Sequence, residues 1–427
     1  MAKAKKTSTL TPEERFQQAL VPDWEQPYKV PENWVWTQLE KLTSIKTGKE
    51  DANFACDDGK YLFFTCAEEP LQCNIPAFEG EAILVAGNGA FHVNYYAGNF
   101  NAYQRTYVIS DFRASIGKYV YYHTLRAIQR ITSGNRGSTI RYIRLGDLAD
   151  SAFALPPLAE QHRIVSRIES LFEKLDQARE LIQTALDSFE TRKAAILHKA
   201  FTGELTAKWR TENGVGMESW CKEKFGCIAH IKSNLVDPAK FPEFPHIAPD
   251  NIEKRTGILL KYRNIQDDGV KSNKHRFYAG QILYSKIRPY LSKVIIVDFD
   301  GLCSADMYPI DATGDNRYLW YQMLSDEFLE QASNAGSRSV LPKINQKELT
   351  NLTVNIPTLP EQQEIVRILD SLLKKEQRAK STLEPLLNQI DLMKKSILAR
   401  AFRGKLGTND PTEPNAHELL KEILARE

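Results

Sequence analysis

Few cysteines and no long apolar run mark this 427-residue chain. The six cysteines, at 56, 66, 73, 221, 227 and 303, form no CxxC pair, and the eight histidines stand away from them at spacings unsuited to metal ligation. Reduced, buried thiols are expected, with neither metal nor disulfide. Nothing approaches the roughly 18 apolar residues of a membrane span, and the start, Met1 to Lys6, lacks the apolar stretch of a secretory signal, so a cytoplasmic protein is expected. A large excess of one charge is missing too: the formal net charge is +2, which argues against a general polyanion binder but conceals local asymmetry. With 42% apolar and 26% charged residues, the composition is that of a soluble globular protein with room for two or three domains.

Catalytic signatures are also missing. The one double proline, Leu155-Pro156-Pro157-Leu158, lacks the flanks of an adenine methyltransferase motif. Ile116-Gly117-Lys118-Tyr119 fails as a phosphate loop at both ends, and Gly87-Asn88-Gly89 is too short for a nucleotide-binding glycine pattern and reads as a turn that presents Asn88. No Asp...Glu-x-Lys nuclease pattern stands out. The chain is therefore not expected to be an enzyme, nor to hold a cofactor of its own.

What it does contain is a duplication. Residues 155–205 align without a gap on 356–406 at a constant offset of 201, with 18 of 51 positions identical, among them Glu160-Gln161/Glu361-Gln362 and Ala200-Phe201/Ala401-Phe402. Two copies of this length imply a pseudo-two-fold internal repeat rather than a solenoid. In the first copy Ile164, Ile168, Leu171, Leu175, Ala178, Ile182, Ala185 and Phe189 step alternately by four and three, the seam of a coiled coil. The second repeats it with Ile365, Leu369, Leu372, Ala379, Leu383, Leu386, Ile390 and Ile397, flawed by Glu376 on the seam and by Pro385, which should kink or split the helix. A helix of about 40 residues would be roughly 60 Å long, and two in one chain are expected to pair.

The segments preceding the copies have diverged yet share a skeleton. The strand-like run Gly80 to Val85 corresponds to Gly280 to Tyr284, a helix-like stretch at 115–130 to one at 316–331, and each then reaches a Ser/Gly/Arg-rich loop holding Arg136 or Arg338. Charge is concentrated here. Between Arg126 and Arg144 lie five arginines and no acid; between Lys271 and Lys293 lie six Lys/Arg, one histidine and no acid, interleaved with Phe277, Tyr278, Tyr284 and Tyr290. Such stretches suit phosphate attraction, while Arg, Lys, Asn and Gln suit base edges in the major groove. A solvated surface is the plainer explanation of any one basic run.

Pro-x-x-x-Glu-Gln opening a long helix and Ala-Phe-x-Gly-x-Leu closing it, twice per chain and each after a variable module, resembles the specificity (S) subunit of type I restriction-modification systems. The resemblance covers nearly the whole chain. Ser285-Lys286-Ile287-Arg288-Pro289 resembles part of that family's target recognition domain. The implied fold is α+β: two globular target recognition domains separated by two long antiparallel coiled-coil helices. The implied layout is an N-terminal arm with a short helix (1–30), target recognition domain 1 (31–153), helical repeat 1 (154–206), target recognition domain 2 (207–355), helical repeat 2 (356–406) and a C-terminal tail helix (407–427). In that family the ends of the chain are expected near the scaffold of the second module. Thr11-Pro12-Glu13-Glu14 reads as the start of a short helix.

The function so implied is DNA sequence recognition within a type I complex. Each domain reads one half of an asymmetric bipartite target, and the helices set the spacer and dock two modification (methyltransferase) subunits. S-adenosylmethionine, ATP and Mg are expected on partners, the last two with restriction (translocase/nuclease) subunits. The other reading, from a different class, is a coiled-coil adaptor that scaffolds proteins and reads no DNA; steep salt dependence with surviving sequence specificity separates the two. Candidate DNA-contacting residues are Asn88, Asn99, Asn101, Gln104, Arg105, Arg136, Arg141 and Arg144 in the first module, and Lys271, Lys274, Arg276, Ser285, Lys286, Arg288, Arg338 and Lys343 in the second.

Overall fold

A computed structural model describes residues 11–134, 141–335 and 342–426. The chain divides into two compact units, residues 1–181 with 386–427, and residues 182–385. Two long helices, Leu158–Phe201 and Leu359–Ala401, run through both, so each unit is built from pieces of both repeats.

In the first unit six strands form one sheet in the order Ser44–Thr47, Thr106–Ser110, Phe78–Ala86, Val93–Ala102, Tyr61–Phe64, Leu71–Cys73. All neighbours are antiparallel except Tyr61–Phe64 beside Val93–Ala102. A separate ribbon, Val35–Gln38 with Ala152–Leu155, leads into the first long helix. Helix Gly117–Ile131 buries Tyr119, Val120, His123, Thr124 and Ala127, the one-sided pattern of a packed helix. The core gathers Trp34, Trp36, Phe153, Ile164 and Ile168 with Phe402, Ala416 and Leu420.

Both ends of the described chain close on this first unit. Helix Pro12–Ala19, started by a Thr11–Glu14 capping box, packs its Phe16 beside His417 of the terminal helix Ala416–Leu424, ring centroids 6.0 Å apart. The ends therefore meet as expected, but on the first module's scaffold and not the second's. The cause is the destination of the second long helix, which delivers Phe402 against Tyr119 and His123.

The second unit has two sheets. One orders Ala229–Ile231, Met307–Ala312, Ile282–Ser285, Val294–Ile296; the other orders Leu235–Val236, Lys274–Phe277, Gly301–Cys303, Pro245–Ile247, Arg263–Asn264. Cys221–Lys224 with Thr353–Ile356 repeats the ribbon of the first unit. The stretch expected as one helix at 316–331 is two, Asn316–Met323 and Asp326–Ala335. Ser325 makes the break: its hydroxyl donates to Gln322 O at 2.7 Å and accepts from Phe328 N at 3.3 Å, serving as an N-cap for the second piece.

The long helices pair antiparallel in the first unit, where Asp176 meets Lys394 and Arg179 meets Asp391. Along the seams Ile164, Ile168, Phe189, Ile365, Leu369 and Ile390 are buried, while Leu171, Leu175, Ile182, Leu372, Leu383 and Leu386 are half-buried. Half-burial mid-helix is what a two-helix contact, covered from one side only, gives. The flaw at Glu376 is answered within the second unit: Arg192 Nε lies 2.9 Å from its carboxylate. Pro385 does not split the second helix, which continues through it. Pro385 and Ser381, the residue whose carbonyl loses its intrahelical donor, are both exposed.

Candidate nucleic-acid interface

In the first unit the chain leaving strand Phe78–Ala86 is joined to the segment after the Ser/Gly/Arg-rich loop. Ile143 N donates to Gly87 O at 3.0 Å, Gly89 N donates to Arg141 O at 3.0 Å, and Asn88 bridges Tyr142. Gly87 N also donates to Arg105 O at 2.8 Å, which brings in the Gln104-Arg105 turn. Beneath, the Tyr107 hydroxyl donates to Ile143 O at 3.0 Å, and burial pushes its pKa above the usual tyrosine value. The result is a cleft of about 290 Å³ lined by Gly87, Gln104, Arg105, Tyr107 and Ile143. Gln104, Arg105, Arg141 and Arg144 are exposed around it and Asn88 is half-buried.

The second unit builds the same junction from different residues. Ile344 N donates to Lys286 O at 2.9 Å, Arg288 N donates to Pro342 O at 2.7 Å, and Ile287 bridges Lys343. Backbone for backbone, Gly87 to Gly89 corresponds to Lys286 to Arg288, and 141–143 to 342–344. Gly89 and Arg288 share the left-handed region, with φ of 74° and 50°. Glycine occupies it freely, whereas a residue with a Cβ is strained there by about 1–3 kcal/mol. Arg288 holds this conformation with its side chain exposed. Lys286 Nζ donates to Ala305 O at 2.6 Å, and Asp306 lies between Lys286 and Lys343, 3.6 and 3.4 Å from their ammonium groups. One carboxylate against three cations leaves the junction electropositive.

Not all expected residues gather there. Arg136 and Arg338 lie outside the described residues. Asn99 is exposed on strand Val93–Ala102, but Asn101 is buried, its amide donating to Ile75 O at 2.9 Å and its side-chain oxygen accepting from Ala102 N at 2.8 Å. Lys271 is exposed; Lys274 is buried, bonded to Ser272 through O at 2.8 Å and Oγ at 2.7 Å, and burial pushes its pKa down. Ser285 is buried and donates to Ile287 O at 3.1 Å. Asn101, Lys274 and Ser285 are thus buried and engaged within the fold, away from the exposed residues of the junctions. Arg276 is half-buried among the rings of Tyr278, Phe241 and Phe244, at 4.9, 5.5 and 5.9 Å.

The cavity of about 880 Å³ in the first unit, lined by Glu79, Glu81 and Asp111 together with Lys46, Lys118 and His162, shares no lining residue with the cleft at the junction.

The chain matches the family described as type I restriction modification DNA specificity domain over residues 31–185 and 231–396. It belongs to that family. Among relatives of this specificity family, it is 42% identical over 399 residues to the type I restriction enzyme EcoDI specificity subunit of Escherichia coli, covering 88% of this chain and 90% of that one. It is 25% identical to the EcoBI specificity subunit of the same species, covering 68% and 66%. The fold is that of a chain from a structure of type I R-M complex assembly and conformational transition (TM-score 0.66, 17% identity, 89% and 100% covered) and of the HsdS subunit from Thermoanaerobacter tengcongensis (TM-score 0.58, 18% identity, 89% and 99% covered). The chain is thus a DNA-target-recognition subunit of the type I restriction-modification class.

The repeated Glu-Gln pairs have a structural role that their sequence context does not disclose. In each unit the glutamine ties the module to the start of a long helix: Gln161 bridges Ile116 N, Ala114 O and Pro156 O, and Gln362 bridges Asp315 N and Pro357 O. The glutamates are buried. Glu160 accepts from Trp34 Nε1 at 2.7 Å and Asn409 Nδ2 at 2.9 Å, and burial pushes its pKa up. Glu361 accepts from Thr206 Oγ1 and Arg210, both at 2.6 Å. Identity between the copies was the signal available for them.

Proposed function

We propose that each unit reads one half of an asymmetric, bipartite DNA target, that the paired helices set the unspecified spacer, and that the chain directs modification and restriction subunits without chemistry of its own. The observation that carries this reading is the repeated junction: one backbone arrangement in both units, dressed with Asn88, Gln104, Arg105, Arg141 and Arg144 in one and Lys286, Arg288 and Lys343 in the other. Equivalent frames with unlike side chains suit two unlike half-sites. S-adenosylmethionine belongs to the methyltransferase partners, and ATP and Mg to the translocase/nuclease; the site of action is the cytoplasm.

The test is to co-express the chain with its modification subunit and map methylated adenines in host DNA, against the modification subunit alone. Methylation at an asymmetric gapped motif only when the chain is present is the expected result. Unchanged methylation while the proteins still co-purify would favour a protein adaptor.

A further inference from the structure

The two long helices are copies, yet their solvent faces carry opposite charge. The outermost row of the second helix, stepping by four and three, is Arg367, Ser371, Lys374, Arg378, Ser381, Pro385, Asn388; every one is exposed, and the row has three bases and no acid. The equivalent row of the first helix is Ser166, Ser170, Glu173, Gln177, Glu180, Thr184, Asp187, with three acids and no base. Two identical partner subunits docking on the two repeats need like surfaces, and these rows are unlike. They therefore serve something else.

Three of the acids beside the basic row are already engaged, and the exposed Glu384 makes no ion pair with the row among the described residues. Glu376 holds Arg192, Asp370 accepts from Arg317 and Tyr321, both at 2.6 Å, and Glu364 holds Arg367. Among the described residues no ion pair engages Lys374, Lys375, Arg378 or Lys380, all within seven residues. Lys374 and Arg378 are one turn apart, about 6 Å along the helix, a distance that spans about two phosphates of a DNA strand at ~3.4 Å each.

We infer that this row, centred on Lys374 and Arg378, rests on phosphates of the unspecified DNA adjoining the half-site read by the second unit. The inference builds on the DNA-reading function proposed above. It assigns part of the affinity, and none of the sequence preference, to a helix outside the junctions.

The test uses the chain assembled with its modification subunit and the double variant Lys374→Glu/Arg378→Gln, which installs the residues standing at 173 and 177 in the first helix and so suits this scaffold. Binding is followed on a duplex carrying the mapped motif and on a mixed-sequence duplex of equal length, as salt rises from about 50 to 200 mM. Loss of two phosphate contacts makes the log–log salt slope shallower by about 2 and weakens binding about ten-fold, with the methylated motif unchanged. The charge-preserving variant Lys374→Arg/Arg378→Lys keeps the parental slope. An unaltered slope in the double variant overturns the inference, as does loss of the modification subunit on purification, which would make the row a protein-docking face. If the parental complex does not prefer the motif duplex, the DNA-reading function itself fails.

Discussion

Arg210 and Glu361 form the most buried ion pair among the described residues. Their side chains are 9% and 0% exposed, the guanidinium also holds Gly203 O at 2.7 Å, and the carboxylate receives Thr206. Arg210→Ala leaves a buried carboxylate without its counter-charge, and a loss of about 3–5 kcal/mol is expected in chemical denaturation. Arg163→Ala breaks a more exposed pair with Glu413 and should cost about 1 kcal/mol or less. Equal losses would show that burial does not govern the difference. Arg288 is expected to behave in the opposite sense: Arg288→Gly relieves left-handed strain, as Gly89 does in the first unit, and should hold or raise stability by about 1 kcal/mol. The same change should weaken recognition of one half-site and leave the other half of the methylated motif intact; equal loss at both halves would argue against modular reading. His123 supplies a pH signature. Its ring is buried against Phe153 and Phe402, Nε2 accepts from Ala154 N, and burial pushes its pKa down to about 3. A depressed histidine contributes stability that is fully present above its unfolded value near 6.5 and is lost as pH falls toward 3, because the unfolded chain takes up the proton first. His123→Phe should therefore flatten the fall in denaturation midpoint between about pH 6.5 and 5 relative to the parent.

Helices were legible where one periodicity decided them. The four-three seam from Ile164 to Phe189 needed only its own spacing, and the long helix runs through it. The break at Ser325 has no counterpart in the single helix at 117–131, although Ser325-Asp326-Glu327 carries its own cap signal. The burial of Lys274, Ser285 and Asn101 is not legible in the sequence, because a strand's alternation says which residues share a face and not which face is covered. The Glu-Gln roles were illegible for a different reason: Trp34 is 126 residues from Glu160, Asn409 is 249, and Arg210 is 151 from Glu361. Such partners meet only after folding. Pro385 shows the converse, a local rule that the setting overrides: the helix continues through the proline at the cost of one hydrogen bond. Pro385→Ala should restore an intrahelical hydrogen bond and raise stability by about 1–3 kcal/mol, read from the thermal midpoint of the full chain; a fall would mean that the helix needs the proline's geometry.

Both repeats enter both units, so a change of length in one helix cannot be absorbed locally. Asp176–Lys394 and Arg179–Asp391 fix the helices' register in the first unit, and Arg192–Glu376 joins them in the second. An insertion in one helix alone puts these two sets of contacts out of step and is expected to cost stability. An insertion of seven residues in each, after Gln183 and after Leu386, preserves the heptad phase and both sets of ion pairs. Seven residues add about 10 Å of helix at ~1.5 Å each, equivalent to at most about 3 base pairs at ~3.4 Å. Methylation mapping of the double insertion should then return both half-site sequences unchanged, with the unspecified gap lengthened by up to that amount. Retained methylation with the gap unaltered would remove the helices from any role in setting the spacer, because the only change made was to their length.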